Sequence, residues 1–408
     1  MNGRARPNKV WSATQHYVTL CCVFVLMGKT LPAFASLIEP LETNQKAWLI
    51  YQMNSNRLKK QDQEFIQTEL NALQLTKPVK PKNTARFGFK PKQSKNWHTS
   101  AEGKRIADIV LSFQTPSGGW SKRTDMGAQA RQPGENFGYE SAYIPTFDNN
   151  ATTTQMWFMA DAFQATADPY YAKSFLRALD FLLLAQYPNG GWPQNFPLTG
   201  GYHNHITLND DTLTNILSLL YGIVNNNPKL NFVPQHTKIR VTVALQAGID
   251  CMLSMQVTVN GIKTLWGAQH DRLTLAPRSA RKFEMAALAT QESANLLLFL
   301  MQIKQPSPPM INAIDHAAQW FQQHKIEGYR WAKKGSARTL FPVKNSHVLW
   351  SRFIEIDSNK PIFGDKDGSV HYDVNHISEE RRNKYAWYTR APAKMLTHYL
   401  QWKKIHSY

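Results

Sequence analysis

A loop that returns about every 70 residues constrains this chain more than any other feature. Gln114, Gln186 and Gln256 each close a stretch of helical spacing and lead into a loop carrying Gly and ending in Trp, at 114–120, 186–192 and 256–266. A weaker fourth copy runs from Glu327 to Trp331. That period fits two helices and two loops per unit, so a repeat architecture is the first expectation. Between the loops, apolar residues recur with the period of a helix: Met156, Met159 and Phe163; Phe175, Leu179 and Leu182; Leu213, Ile216 and Leu220; Leu296, Phe299 and Ile303. No long run alternates with the period of a strand. The sequence therefore predicts an all-α chain of helical hairpins with its loops gathered at one end. A single Trp under a turn would be core packing, but its recurrence predicts a shared loop face.

The N-terminal end reads as an export signal. Arg4, Arg6 and Lys9 precede an apolar run at 17–27, and Ala33, Phe34 and Ala35 give a small-x-small cleavage site. The run is shorter than the roughly 20 residues a spanning helix needs. A secreted or periplasmic protein, cleaved after Ala35 and not inserted in a membrane, is expected. Residues 44–74 carry a helical pattern, whereas 76–98 are basic, Pro-containing and patternless, which predicts a linker or a strap. The expected organisation is thus a signal over 1–35, an extension over 36–98 and a catalytic domain over 99–408. Cys21 and Cys22 leave with the signal, and Cys251 alone can form no disulfide within the chain. The net charge is +18, and the signal removes only basic residues, so the mature chain stays basic on a modest margin of loss. Such a chain expects an acidic partner: nucleic acid, lipopolysaccharide, a membrane surface or a polyuronate.

Two polar clusters precede helical stretches. One contains Asp148, Asn149 and Asn150; the other contains His203, His205, Asn209, Asp210 and Asp211. One Asp or Asn per helix is a cap, but consecutive carboxylates and amides in two places exceed what capping requires. Oxygen donors of this kind suit a hard cation such as Ca²⁺ and suit zinc poorly, since His203 and His205 lack a matching Cys or His set. Two further clusters are basic and interleaved with aromatics: Arg278, Arg281 and Lys282 after Trp266, and Arg352, Lys366, Arg381 and Arg382 among Trp350, Trp387 and Tyr388. Arg and Lys among Trp, Tyr and Gly point to a carbohydrate groove that also binds carboxylates.

Through the stretches at 118–126, 146–156, 187–198, 200–211, 266–284, 350–368 and 380–388, the chain resembles the polysaccharide lyase family 10 pectate lyases. The resemblance covers most of residues 100–402 and implies an (α/α)3 toroid with the active site in a groove. It implies Ca²⁺ held between the protein and a substrate carboxylate by the residues matching Asp148, Asn149 and Asp210. It gives Arg281 as the Brønsted base and Arg352 and Lys366 as uronate-binding residues; His203 and Trp192 are expected beside them as further substrate contacts. The family usually carries Arg where Lys366 stands, and Lys keeps the charge but loses the bidentate fork. Polygalacturonate is the implied substrate, calcium the implied cofactor, and a monomer without nucleic-acid partners is expected.

Elimination removes the C5 proton, which lies α to a carboxylate, and cations that neutralise that carboxylate stabilise the charge that develops. An Arg base is costly, because its free pKa exceeds about 12; chemistry alone would point to His203, His205 or His270. A competing enzyme is an inverting glycoside hydrolase using Asp210 or Asp211 with Glu284, which the basic charge disfavours. A non-catalytic uronate- or lipopolysaccharide-binding protein is the alternative outside enzymes.

Overall fold

The computed structural model describes residues 35–406, with side chains from residue 44 onward. The export signal expected over 1–35, with its apolar run, lies outside these side chains. Among the described residues the helices are α1 (Ala35–Leu73), α2 (Lys95–Thr99), α3 (Ala101–Ser112), α4 (Thr153–Thr166), α5 (Pro169–Leu184), α6 (Thr212–Val224), α7 (Gln235–Ser254), α8 (Thr290–Leu300), α9 (Pro308–Gln323), α10 (Glu379–Lys384) and α11 (Ala391–His406). Local chemistry sets several starts. Ser100 accepts from the Gly103 amide at the head of α3, and Asp168 accepts from Tyr170 with Pro169 in the first turn of α5.

The helices pack in two facing rows. Along one row α4 meets α6, α6 meets α8 and α8 meets α11; along the other α3 meets α5, α5 meets α7 and α7 meets α9. The rows share one apolar core that includes Phe158, Met159, Leu182, Leu217, Leu297 and Phe321. The expectation of an all-α (α/α)3 toroid is corrected here. The structure is 49% helical, and among the described residues six two-stranded antiparallel sheets form: three join separate buried loops, Ile206–Thr207 with Gln269–His270, Leu288–Ala289 with Phe353–Ile354 and Trp350–Ser351 with Tyr388–Thr389, and three are local hairpins. For the three loop-joining pairs the physical reason is backbone satisfaction. The loops are buried where they meet, so their amides need partners that water cannot supply.

Each loop Trp organises one such junction. Trp120, Trp192, Trp266 and Trp350 are all buried, and their indole nitrogens donate to Val110, Leu182, Met252 and Phe321 carbonyls at 2.7–2.9 Å. The Trp carbonyls accept in turn from Thr146, Thr207 and Ala289 amides, and Trp350 pairs with Thr389. The repeated Gln acts beside them. Gln114 donates to Gly118 and Ser174, Gln186 to Gly190 and Ala244, and Gln256 to Thr264 and Ala313. Each Gln thus ties its own loop to a helix further along the chain. The true fourth copy is Trp350, not Trp331, which lies in a hairpin of strands Tyr329–Lys334 and Ala337–Pro342.

The N-terminal segment is fastened to the same core. Tyr51 of α1 packs on Tyr187 and Phe196 and donates to the Ala185 carbonyl. Asp62 accepts from the Ser117 amide and hydroxyl, both at 2.7 Å. Residues 79–88 then lie against 125–136, with Met126 donating to the Phe87 carbonyl and Asn136 to the Val79 carbonyl. Gly88, at φ +77, lets the two backbones touch; a Cβ there would stand 2.6 Å from the Met126 nitrogen. The basic stretch is a strap. No described helix is long and apolar enough to cross a membrane.

Candidate active site

Asp148, Asn149 and Asn150 form a short turn before α4, and Asn209, Asp210 and Asp211 form its counterpart before α6. Both turns place consecutive residues in left-handed backbone: Asn149 and Asn150 at φ 51 and 64, Asp210 and Asp211 at φ 52 and 60. Asn and Asp tolerate this conformation better than other side chains, which accounts for the composition of both motifs. Thr152 follows at φ 62, a strained position for a β-branched residue. None of these residues caps α4 or α6 through its side chain, so capping does not explain them.

The two turns meet at the rim of a cavity of about 270 Å³. Asn149 donates to Asp210 Oδ2 at 2.6 Å. Asp148, Asn149, Asp210 and Arg281 all line the cavity, so it gathers the three expected cation ligands and the expected base. The donor set fits a hard cation. Asp148 Oδ1 is buried and lacks a hydrogen-bond partner. Burial, with Asp148 beside it, pushes Asp210 up to about 7. Two carboxylates converging out of water call for a positive charge between them. The site combines two carboxylates with one amide, and among the described residues no group of three or more His, Cys, Asp or Glu gathers here or at any other place.

Lys122 supplies positive charge to this site. Its ammonium donates to Asp148 Oδ2 and lies 3.5 Å over the Tyr143 ring. Tyr143 and Tyr202 line the cavity with their hydroxyls 3.2 Å apart. On the other side Arg281 forms a forked pair with Glu284, Nε to Oε2 at 2.8 Å and Nη2 to Oε1 at 2.5 Å. The pair leaves Nη1 outside it. Glu284 raises the Arg281 pKa further above its ordinary value. Burial would raise Glu284, but Arg281 and the Tyr385 hydroxyl, 2.7 Å away, outweigh it and hold its carboxyl low.

The other expected residues lie around the cavity rather than in its lining. Arg352 is buried and donates to Glu292 Oε1 at 2.5 Å and to Asn209 Oδ1 at 3.1 Å; it stands behind Asp210, where uronate contact was expected. Lys366 is exposed and pairs with Glu380, on a loop whose Gly364 backs onto the Phe283 carbonyl. His203 stacks on Tyr202 at 4.0 Å, and burial lowers its pKa. Trp192, expected to contact sugar, is a correction: it is 0% exposed and bound to Leu182, so it offers no face to a ligand. Nor is His270 free to act as a base. Its Nε2 accepts from the Gly267 amide at 2.9 Å, Nδ1 meets the Leu275 carbonyl at 2.7 Å, and burial pulls it down to about 4. His205 is half-buried beside Asp271 and Arg278, outside the lining.

Lys122, Tyr143, Tyr202 and Gln269 line the cavity without having been singled out as site residues. One signal for Lys122 was present. The position two after the loop Trp carries Lys122, Gln194 and Arg352 in three of the four copies, and each of these three lies at or just behind the cavity.

A family model of pectic acid lyases matches residues 114–396. Among solved structures, the chain is similar to a family 10 polysaccharide lyase from Cellvibrio cellulosa. Identity is 32% over 75% of this chain and 95% of that one, with a TM-score of 0.67. A mutant of that organism's family 10 polysaccharide lyase, solved in complex with trigalacturonic acid, aligns at 31% identity over 77% of this chain and 97% of that one, also with a TM-score of 0.67. No curated protein sequence matches significantly. On the family match and these two likenesses together, the chain belongs to the pectic acid lyase family.

Proposed function

We propose that this pectate lyase cleaves α-1,4-linked polygalacturonate by calcium-dependent β-elimination, with Arg281 taking the C5 proton. The observation that carries the proposal is the meeting of Asp148, Asn149 and Asp210 with Arg281 around one cavity. Asp148, Asn149 and Asp210 would hold Ca²⁺. The ion supplies positive charge to the uronate carboxylate and so acidifies the adjacent C–H.

Arg281 accepts the proton from C5. The C–H electron pair becomes the C4–C5 double bond, the C4–O4 bond breaks, and O4 leaves with its electrons and takes a proton from water. Glu284 fixes Nε and Nη2 of Arg281, which directs Nη1 as the remaining nitrogen. A guanidinium lies more than about 4 pKa units above pH 8, so its deprotonation costs at least about 5 kcal/mol there. Glu284 works against that step, while Lys122 and Arg123, which also line the cavity, work for it. Arg352 positions Asn209 and neutralises Asp210 from behind, and Lys366 is assigned to bind uronate after leaving Glu380.

The hydrolase alternative fits less well. Both oxygens of Glu284 are bound by Arg281, and Asp211 is held by Asn295 at 2.9 and 3.1 Å. Export to the periplasm or medium is proposed from the sequence of residues 1–35. Mass spectrometry of the products tests the reaction class. Fragments short of one water, carrying the double bond, are expected; fragments that have gained water would identify a hydrolase.

A further inference from the structure

The candidate catalytic cavity shares wall residues with a second cavity, and the second with a third. Asn149 and Arg123 line both it and a neighbouring space of about 420 Å³, whose other walls are Thr84, Ala85 and Arg86 of the strap. Arg86 in turn lines a third cavity of about 1000 Å³ with Phe89, Lys90, Lys92 and Trp97. Spaces of this size bury ligands well beyond a monosaccharide. From this adjacency we infer that the strap extends the catalytic cleft into distal subsites for further uronate residues of the polysaccharide.

Three observations support this. Arg86, Lys90 and Lys92 are exposed, and among the described residues none has a carboxylate partner within ion-pair distance, whereas Arg123, Arg281 and Lys366 do. The lining carboxylate, Glu102, is already forked by Arg105 at 2.7 and 2.8 Å. The strap is also held in place: Phe89 packs on Phe158 at 4.4 Å, and Gly88 abuts residues 125–127. Unpaired cations fixed along a groove suit a ligand that repeats a carboxylate on every sugar, and Trp97 and Phe89 offer apolar faces between them. The strap precedes residue 114, where the family match begins.

The inference rests on the lyase reading, so its test separates the two. Calorimetric affinities and initial rates are measured on the full chain with trigalacturonate and with an oligogalacturonide of about ten residues. They are compared with those of the triple variant Arg86→Ser, Lys90→Ser, Lys92→Ser. The triple variant is expected to lose about tenfold in affinity and in KM for the long ligand, the sum of three exposed charge contacts. Its kcat should stay unchanged, and trigalacturonate should be handled within about twofold of the parent. Raised salt should weaken the long ligand more in the parent than in the variant. Equal behaviour on both ligands would overturn the strap subsites. So would equal affinity of the strap for a single-stranded DNA of matched charge, which would mean a generic anion groove. Strap-dependent binding with no unsaturated product from either ligand would instead refute the lyase reading and leave the uronate subsites standing. Should the triple variant not fold, Arg86→Gln and Lys90→Gln are each expected to weaken the long ligand about twofold, and no change in either overturns the assignment.

Discussion

Asn149 donates its side-chain amide to Asp210 across 2.6 Å, joining two left-handed turns that lie 61 residues apart. That bond sets Asp210 beside Asp148 and gathers oxygen donors from two loops at the N-terminal ends of α4 and α6. Asp210→Ala removes one of two carboxylates from the candidate ion site. Calcium affinity measured by calorimetry without substrate should fall about 100-fold or more, in line with the sensitivity of such sites to ligand charge. An unchanged affinity would place the ion elsewhere.

Lys122 already neutralises Asp148 through Oδ2, so a cation arriving at the unpartnered Oδ1 shares the carboxylate with its ammonium and is repelled by it. Lys122→Met should therefore tighten calcium binding in the absence of substrate by about tenfold, equivalent to about 1.4 kcal/mol. The same variant should raise KM for polygalacturonate, because a positive charge has left the cavity. Weaker calcium binding in Lys122→Met would show that Lys122 orders the site instead of competing for it.

The base assignment makes a pH prediction of definite sign. Arg281 is held protonated by Glu284, so its active, neutral fraction grows about tenfold per pH unit. Asp210, pushed up to about 7, must also be ionised to hold a cation. The logarithm of kcat/KM should rise with pH through the neutral range and continue beyond pH 8. A bell-shaped profile centred near pH 6 would point to a histidine base. Arg281→Ala should abolish turnover and leave oligogalacturonide affinity within about fivefold.

His270 predicts how stability depends on pH. Its folded pKa, about 4, lies below the unfolded value of 6.5. Its contribution is therefore fully present above pH 6.5 and is lost as pH falls from there towards 4. The shift corresponds to about 3 kcal/mol. Denaturant midpoints measured between pH 7 and 4.5 should fall, and His270→Gln should flatten that slope. An unchanged slope would mean that other groups govern acid unfolding.

Trp192 separates packing from binding. Since it is fully buried and donates to Leu182, Trp192→Ala should cost about 3–5 kcal/mol of stability. Trp192→Phe keeps most of the packing and loses the hydrogen bond, about 1–3 kcal/mol. Thermal unfolding reads both, and KM of the folded Trp192→Phe enzyme should not move.

Periodicity revealed the helical rows because an amphipathic helix writes its buried face at fixed spacing; Met156, Met159 and Phe163 on α4 carried that signal. It did not reveal the small sheets. Strands of two residues, such as Ile206–Thr207 against Gln269–His270, are too short to alternate, and they exist because buried loop amides need partners. The candidate ligands Asp148, Asn149 and Asp210 were legible as runs of oxygen donors. Lys122 was harder to find, because a lone Lys in a loop looks solvated until folding sets it against Asp148. Trp192 misled in the opposite direction: a Gly-flanked Trp reads as exposed, whereas the glycines let the backbone draw close enough to bury it. Gly190, for instance, lies against the Ala247 carbonyl, which a Cβ would approach to 2.1 Å.

Ultraviolet absorbance of the unsaturated uronide, followed on polygalacturonate with calcium, with chelator, and with calcium restored, bears most directly on the ion-assisted elimination. The arrangement of Asp148, Asn149, Asp210 and Arg281 predicts absorbance that rises with calcium, stops on chelation and resumes on adding the ion back. Undiminished absorbance in chelator, or new reducing ends without any absorbance, would contradict it.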